Sequence, residues 1–511
     1  MNINDLYMLA GKYYEKKDFS NALSCLQEVN RVQPGNTKVL LNMAACFEQL
    51  QDHENCINVI KQLIKTDKNN HGLHHHLGHL YFRLGDIEKS IEAFEQALQL
   101  NPNVANYYYY LADIYERTNQ NDKALQVLAQ GLRHFPNDVS LEVLTARCER
   151  RLGNIEESHN RLENLSARES DMPPKRRIDY HFEMGFIYDR KNDADLAFRY
   201  FTRANELVRA TPEYQSIDSN ESLKRIHTLS HLDYGKINKI IELSKKNPPP
   251  LQPVFFVGFP RSGTTLLEMV LDSHSQIEVI GEKNTLAPVI SMIEKEPEKY
   301  LDSPFLMDKE NIENLRNIYF NEASKYVSVD GSSVVVDKMP MNIVQVHIIK
   351  ILFPDARVLL GLRHPCDAIL SCFMQNFALS PGMVQMFEFK SIIDYYDKIM
   401  RLWEIFKNEI GFDNHFVRYE DLIENMEEET RKLLLFLDLP WNEEVLNYRE
   451  NAFNRGFIRT PSYSQVVKPV YKEARYRWHR YAKYFEPYFD VLKPHCDAFN
   501  YSLQFDGYLG Q

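Results

Sequence analysis

Two hydrophobic periods divide this chain. Through the first 211 residues, apolar and small side chains return every 34 positions: Leu77, Gly78, Tyr81, Gly85, Ser90, Phe94, Ala97 and Pro102 stand at the offsets of Leu111, Ala112, Tyr115, Asn119, Ala124, Leu128, Gly131 and Pro136. Leu9, Ala10, Phe19, Ala22, Leu26 and Pro34 carry the same spacing before them, and looser copies cover 37–70, 139–165 and, past Met172-Pro173-Pro174, 178–211. Each copy reads as two helices whose small residues let them approach and whose proline closes the second. Residues 213–250 read as a joint, polar and then amphipathic, stopped by the stiff run Asn247-Pro248-Pro249-Pro250. From Leu251 the period changes. Short apolar runs at Val254–Val257, Ser333–Val336, Arg357–Leu362 and His415–Tyr419 alternate with helical stretches, the pattern of an α/β domain with a central parallel sheet. The predicted division is therefore 1–212, 213–250 and 251–511.

The 34-residue unit resembles the tetratricopeptide repeat. The resemblance implies an α-solenoid, right-handed, with a concave face lined by the first helix of each unit. Such a face binds a protein or extended peptide; pairing into a homodimer, or bracing of the second half, is the simpler alternative. Within the third copy His71, His75 and His79 share one helix face, but no carboxylate or cysteine joins them, so they read as packed histidines and no metal is expected.

Charge and cysteine content narrow the class. The net charge of −11 argues against nucleic acid as the partner, while leaving room for a local basic pocket. Seven scattered cysteines with no C-x-x-C pattern form no disulfide framework, and together with the absence of a long apolar run they predict a cytoplasmic protein that does not engage a membrane.

The candidate chemistry centres on Val254 to Leu267. A buried strand, a turn through two glycines and a proline, and a helix from Thr265 to about Leu271 make a P-loop-like phosphate cradle, because the unpaired N–H groups of a first helical turn converge and the helix dipole favours an anion there. Arg261 adds a planar cation, and Thr264 and Thr265 add hydroxyls. Where a nucleotide-hydrolysing loop carries lysine this loop has Thr264, which counts against an ordinary phosphotransferase. Further charges follow: Gly281-Glu282 after the first helix, Asp337-Lys338-Met339-Pro340 after the second strand, and Arg363-His364-Pro365-Cys366-Asp367, with Ser371 beyond, after the third. Arg363 and Ser371 suit a second phosphate of the same nucleotide.

These motifs resemble the sulfotransferases. Pro260 to Thr265 is similar to their 5′-phosphosulfate loop, Arg363 to Ser371 to their 3′-phosphate motif, and within the superfamily the tyrosylprotein sulfotransferases are the nearest resemblance. Asp337 to Pro340 resembles the lysine motif of those enzymes, and Gln465 to Val470, with Glu473-Ala474 and Trp478, their C-terminal cofactor segment. The resemblance implies 3′-phosphoadenylyl sulfate as donor, held by Arg261, Ser262, Gly263, Thr264, Thr265, Arg363, Ser371, Tyr476 and Arg477. It also implies transfer to an acceptor hydroxyl, first a protein tyrosine, with Glu282 as base and Lys338 and Arg261 stabilising charge, and without a metal. The chain departs from the pattern in having Tyr476 where those enzymes have a serine, and one extra residue between His274 and Gly281. A carbohydrate or small-molecule acceptor is the enzymatic alternative, and an inactive repeat scaffold the non-enzymatic one. His347 and His364 are the other candidate bases, with His364 read as structural.

Overall fold

The computed structural model describes residues 2–295, 308–450 and 475–504 of the 511-residue chain. By their contacts they form two compact units, Met1–Met172 and Pro173–Gln511.

The first unit is five helix pairs: Ile3–Glu15 with Phe19–Val32, Thr37–Gln49 with His53–Thr66, His71–Leu84 with Ile87–Leu100, Ala105–Arg117 with Asn121–His134, and Val139–Leu152 with Ile155–Glu163. The repeat is visible in its backbone. Lys17, Gln51, Gly85, Asn119 and Gly153, each 34 residues after the last, turn the chain between paired helices with φ of 60, 58, 90, 59 and 95°. Only two of the five are glycine, so three copies hold a side chain in the left-handed region against its preference. Asp18, Asp52 and Asp86 then cap the second helices by accepting the N–H of Asn21, Asn55 and Lys89. In three of the five pairs the second helix donates to a carbonyl of the first: Ser90 to Gly78 at 2.7 Å, Ser158 to Ala146 at 2.7 Å and Cys56 to Ala44 at 3.5 Å. The histidines pack as a cluster, His71 Nδ1 lying 2.6 Å from the Tyr107 hydroxyl and the Nε2 atoms of His75 and His79 3.2 Å apart. Burial pushes both His75 and His79 down to about 4.

The sixth pair, Pro174–Arg190 with Ala194–Arg209, keeps the repeat's packing. A Cβ on Gly185 would stand 2.7 Å from the Phe201 ring, as one on Gly78 would stand 2.9 Å from Phe94. It belongs, however, to the second unit. Ile178, Phe182, Phe201 and Val208 join the large core of the sheet domain, Phe198 stacks on Tyr484 with centroids 3.7 Å apart, and Asn205 Nδ2 donates to the Phe373 carbonyl at 2.9 Å. The expected boundary at 212 is thus not where contacts divide the chain. The joint at 213–250 packs into the same core through Ile226, Leu229, Ile237, Ile240 and Ile241. Fully buried Arg316 pins its end by donating to the Asn247 carbonyl at 2.5 Å and to Ser244 Oγ at 2.7 Å.

Among the described residues the sheet has five parallel strands, β1 Val254–Gly258, β2 Ile277–Ile280, β3 Val334–Lys338, β4 Val358–Leu362 and β5 Asn414–Arg418, in the order β2-β3-β1-β4-β5. β2 is the strand the sequence reading missed; at four residues it is too short to announce itself. Alternate β1 residues serve different cores: Phe255 and Val257 pack into one, Val254 and Phe256 into the other, so helices cover both faces. No helix among the described residues is long and apolar enough to cross a membrane.

Candidate active site

β1 delivers the chain into the turn Phe259–Gly263, and helix Thr264–Asp272 leaves it. Arg261 and Gly263 take left-handed φ of 68 and 80°. At Gly263 a Cβ would also stand 2.5 Å from Tyr419 Cδ2, so the position needs glycine for both conformation and room. Ser262, Thr264 and Thr265 are buried in the turn.

Arg261 Nε donates to Ser371 Oγ at 3.0 Å, and Arg363 Nη1 to the Arg261 carbonyl at 3.4 Å. Ser371 comes from helix Pro365–Phe373 and Arg363 from the end of β4 just before it. The Arg363 guanidinium lies 5.3 Å from the Tyr419 ring centroid. Burial, and the like charge of Arg363, bring Arg261 down to about 10, opposed in part by Glu282. Two guanidinium groups confined beside a helix N-terminus repel each other until an anion joins them, so these residues fit a phosphate-bearing ligand.

On the other side of β1, β3 ends in Asp337 and Lys338, which leave the sheet on opposite faces. Asp337, fully buried, accepts from Thr285 Oγ1 at 2.5 Å and Tyr319 OH at 2.9 Å; burial raises it to about 6 against the effect of those two hydrogen bonds. Lys338, likewise 0% exposed, places Nζ 2.7 Å from Glu282 Oε1 and 2.7 Å from Glu268 Oε2. Glu282 sits in the turn after β2 with its side chain 35% exposed, whereas that of Glu268, on helix Thr264–Asp272, is 7% exposed. Glu268 escaped the sequence reading. Its signal was an acid inside the apolar run Leu266-Leu267-Glu268-Met269-Val270-Leu271, where only a partner makes a charge tolerable.

Arg261, Ser262, Gly263, Thr264, Thr265, Arg363 and Ser371 thus come together around one turn, and Glu282 meets Lys338. Tyr476 and Arg477 are placed differently. Tyr476 meets this region through its backbone: its N–H donates to Asp367 Oδ2 at 2.7 Å, and that of Trp478 to Asp367 Oδ1 at 2.9 Å. Burial raises Asp367 to about 6, opposed by Arg363 and these N–H donors. Arg477, expected on the donor, instead grips the buried Asp189 of helix Pro174–Arg190 together with Arg480 Nη2 at 3.0 Å and Tyr481 OH at 2.7 Å. Its guanidinium is paired with a buried carboxylate. Gln465 to Val470 and Glu473-Ala474 lie outside the described residues.

Both histidines named as other candidate bases sit in packed surroundings. His347 is packed on Phe406 and driven to about 3 by burial. His364 accepts the Cys366 N–H at Nδ1 and sits 3.0 Å from the Ser502 carbonyl through Nε2, stacked on Trp478, so it caps the helix that carries Ser371. Among the described residues no group of three or more His, Cys, Asp or Glu side chains is arranged to hold a metal ion.

An uncharacterized protein of Aquifex aeolicus is 28% identical over 334 residues, 63% of this chain and 42% of that protein. The protein-tyrosine sulfotransferase of Drosophila melanogaster is 25% identical over 240 residues, 44% of this chain and 46% of its own, and human protein-tyrosine sulfotransferase 1 is 28% identical over 255 residues, 48% and 66%. The chain therefore spans about half the length of the curated relatives it matches. Among solved structures, a crystal structure of MamA overlaps 42% of this chain and 95% of its own at 19% identity and a TM-score of 0.26. Residues 253–443 match the family described as "Sulfotransferase family" and residues 76–139 that of the tetratricopeptide repeat. The sheet unit thus carries a sulfotransferase-family domain, and the helical array before it carries tetratricopeptide repeats.

Proposed function

We propose that this chain transfers the sulfo group of 3′-phosphoadenylyl sulfate to an acceptor hydroxyl, with a protein tyrosine as first acceptor. The observation that carries the reading is the contact of Lys338 with Glu282 at 2.7 Å, close to the cradle where Arg261, Arg363 and Ser371 meet. The names of the relatives support the acceptor class.

The donor supplies an activated sulfur, whose bond to the 5′-phosphate oxygen breaks as the acceptor oxygen bonds to it. Ser262, Thr264, Thr265 and the first N–H groups of helix Thr264–Asp272 hold the phosphosulfate end, and Arg363 with Ser371 holds the 3′-phosphate. Glu282 takes the acceptor's proton, for which its partly exposed carboxylate is accessible. Lys338 and Arg261 stabilise the charge that gathers on the phosphate oxygen as it leaves, and the products are a sulfate ester and adenosine 3′,5′-bisphosphate. The tetratricopeptide repeats serve to bind a protein or peptide.

The test is sulfo transfer to tyrosine peptides and glycans assayed side by side by mass, with Glu282→Ala beside the wild type. Transfer to tyrosine that falls about 100-fold or more in Glu282→Ala is the expected outcome. Transfer to glycans alone would replace the acceptor, and full activity in Glu282→Ala would remove the base.

A further inference from the structure

The sulfotransferase reading gives Lys338 and Glu282 their tasks but leaves unexplained why a second carboxylate lies on the same ammonium. Glu268 Oε2 and Glu282 Oε1 are both 2.7 Å from Lys338 Nζ. The two are not equivalent. Glu282 stands on a turn and is one-third exposed, while Glu268 is buried on a helix whose other residues at 267 and 269–271 are apolar and buried. Its carboxylate is fitted between elements: Oε1 lies 3.1 Å from where a Cβ on Gly281 would stand, so the residue before Glu282 leaves it room. Glu268 also lies one helical turn beyond Thr264, on the same side of the helix that opens the cradle.

We infer that Glu268 is a positioning residue, which keeps the Lys338 ammonium in place and charge-compensated while Glu282 gives up that contact to accept the acceptor's proton. The inference rests on the sulfotransferase reading. A fully buried ammonium with one counter-ion would lose it at the moment Glu282 is neutralised, which is a heavily disfavoured state. With Glu268 in place, the pair Lys338–Glu268 remains neutral overall after the proton moves. Of the three ammonium donors, one stays on Glu268, the one leaving Glu282 is freed, and the third is available to the leaving oxygen. Because helix Thr264–Asp272 carries both the cradle's hydroxyls and Glu268, the ammonium is registered to the bound phosphosulfate by a single rigid element.

The experiment is a double-mutant cycle on the full chain with Glu268→Gln, Lys338→Ala and the double variant. It reads kcat for sulfo transfer and, separately, calorimetric binding of adenosine 3′,5′-bisphosphate. Glu268→Gln is expected to lower kcat about 100-fold, with nucleotide binding changed by no more than about threefold. In the Lys338→Ala background the same substitution is expected to have no further effect, because its target is gone. Glu268→Asp, which keeps the charge but draws it back by one methylene, should fall between wild type and Glu268→Gln and guards against a variant that fails to fold. Unchanged kcat in Glu268→Gln, an undiminished loss in the Lys338→Ala background, or an aspartate no better than glutamine overturns the inference. A wild type that neither binds the nucleotide nor transfers sulfo groups overturns the function itself, whereas an active wild type with an equally active Glu268→Gln variant overturns only the role of Glu268.

Discussion

The five helix pairs of the first unit and the sixth pair, Pro174–Arg209, follow one local rule and serve different cores. All six show the same spacing of small and apolar residues, and Gly185 against Phe201 reproduces the contact of Gly78 with Phe94. Yet the sixth pair buries Phe182 and Phe201 in the core of the sheet domain and carries Asp189, on which Arg477, Arg480 and Tyr481 converge. The difference teaches that a repeat motif specifies a helix pair, while the face it turns to its neighbours specifies the unit to which the pair belongs.

The sharpest way to break that comparison is to cut the chain. A chain beginning at Pro173 is expected to give a cooperative melt and one beginning at Glu213 is expected to aggregate, as read by calorimetry and size-exclusion chromatography. The reason is scale: each large buried side chain contributes about 2 kcal/mol, and losing four of them removes about 8 kcal/mol from a domain stable by roughly 5–15. A well-folded chain from Glu213 would return the pair to the array. Next in size is Asp189→Ala, which strips the carboxylate from Arg477 and Arg480 and is expected to cost about 3–5 kcal/mol in denaturant unfolding. A cost below about 1 kcal/mol would mean the arginines find solvent instead, and that Asp189 does not tie the pair to the segment after Arg475. The smallest effect belongs to the array: Asp86→Ala removes the cap on Lys89 N–H and should cost about 1 kcal/mol by the same measurement. The matching change at Gln120, which makes no side-chain cap, should cost nothing comparable.

How far the site could be read in advance follows the same division. The turn from Gly258 to Thr265 was legible because strand, turn residues and helix start are contiguous, and the charges at the end of β3 and after β4 were legible because a parallel sheet brings strand ends to one edge. Glu268 was not, since one acid in an apolar helix has meaning only once its partner on β3 is known. The pairing of Arg477 was not legible for the converse reason. A motif position predicted a ligand, and a carboxylate 288 residues earlier in the chain captured the side chain.

By itself, then, the sequence determined what depends on neighbours within a turn or two: the paired helices, four of the five strands, and the strand-turn-helix around Gly258 to Thr265 with its hydroxyls. Tertiary structure alone decided which core the sixth pair joins, that Lys338 answers to two carboxylates, and that Arg477 belongs to Asp189. The physical reason is that burial makes a charge depend on its nearest opposite charge, and folding draws that partner from anywhere along the chain.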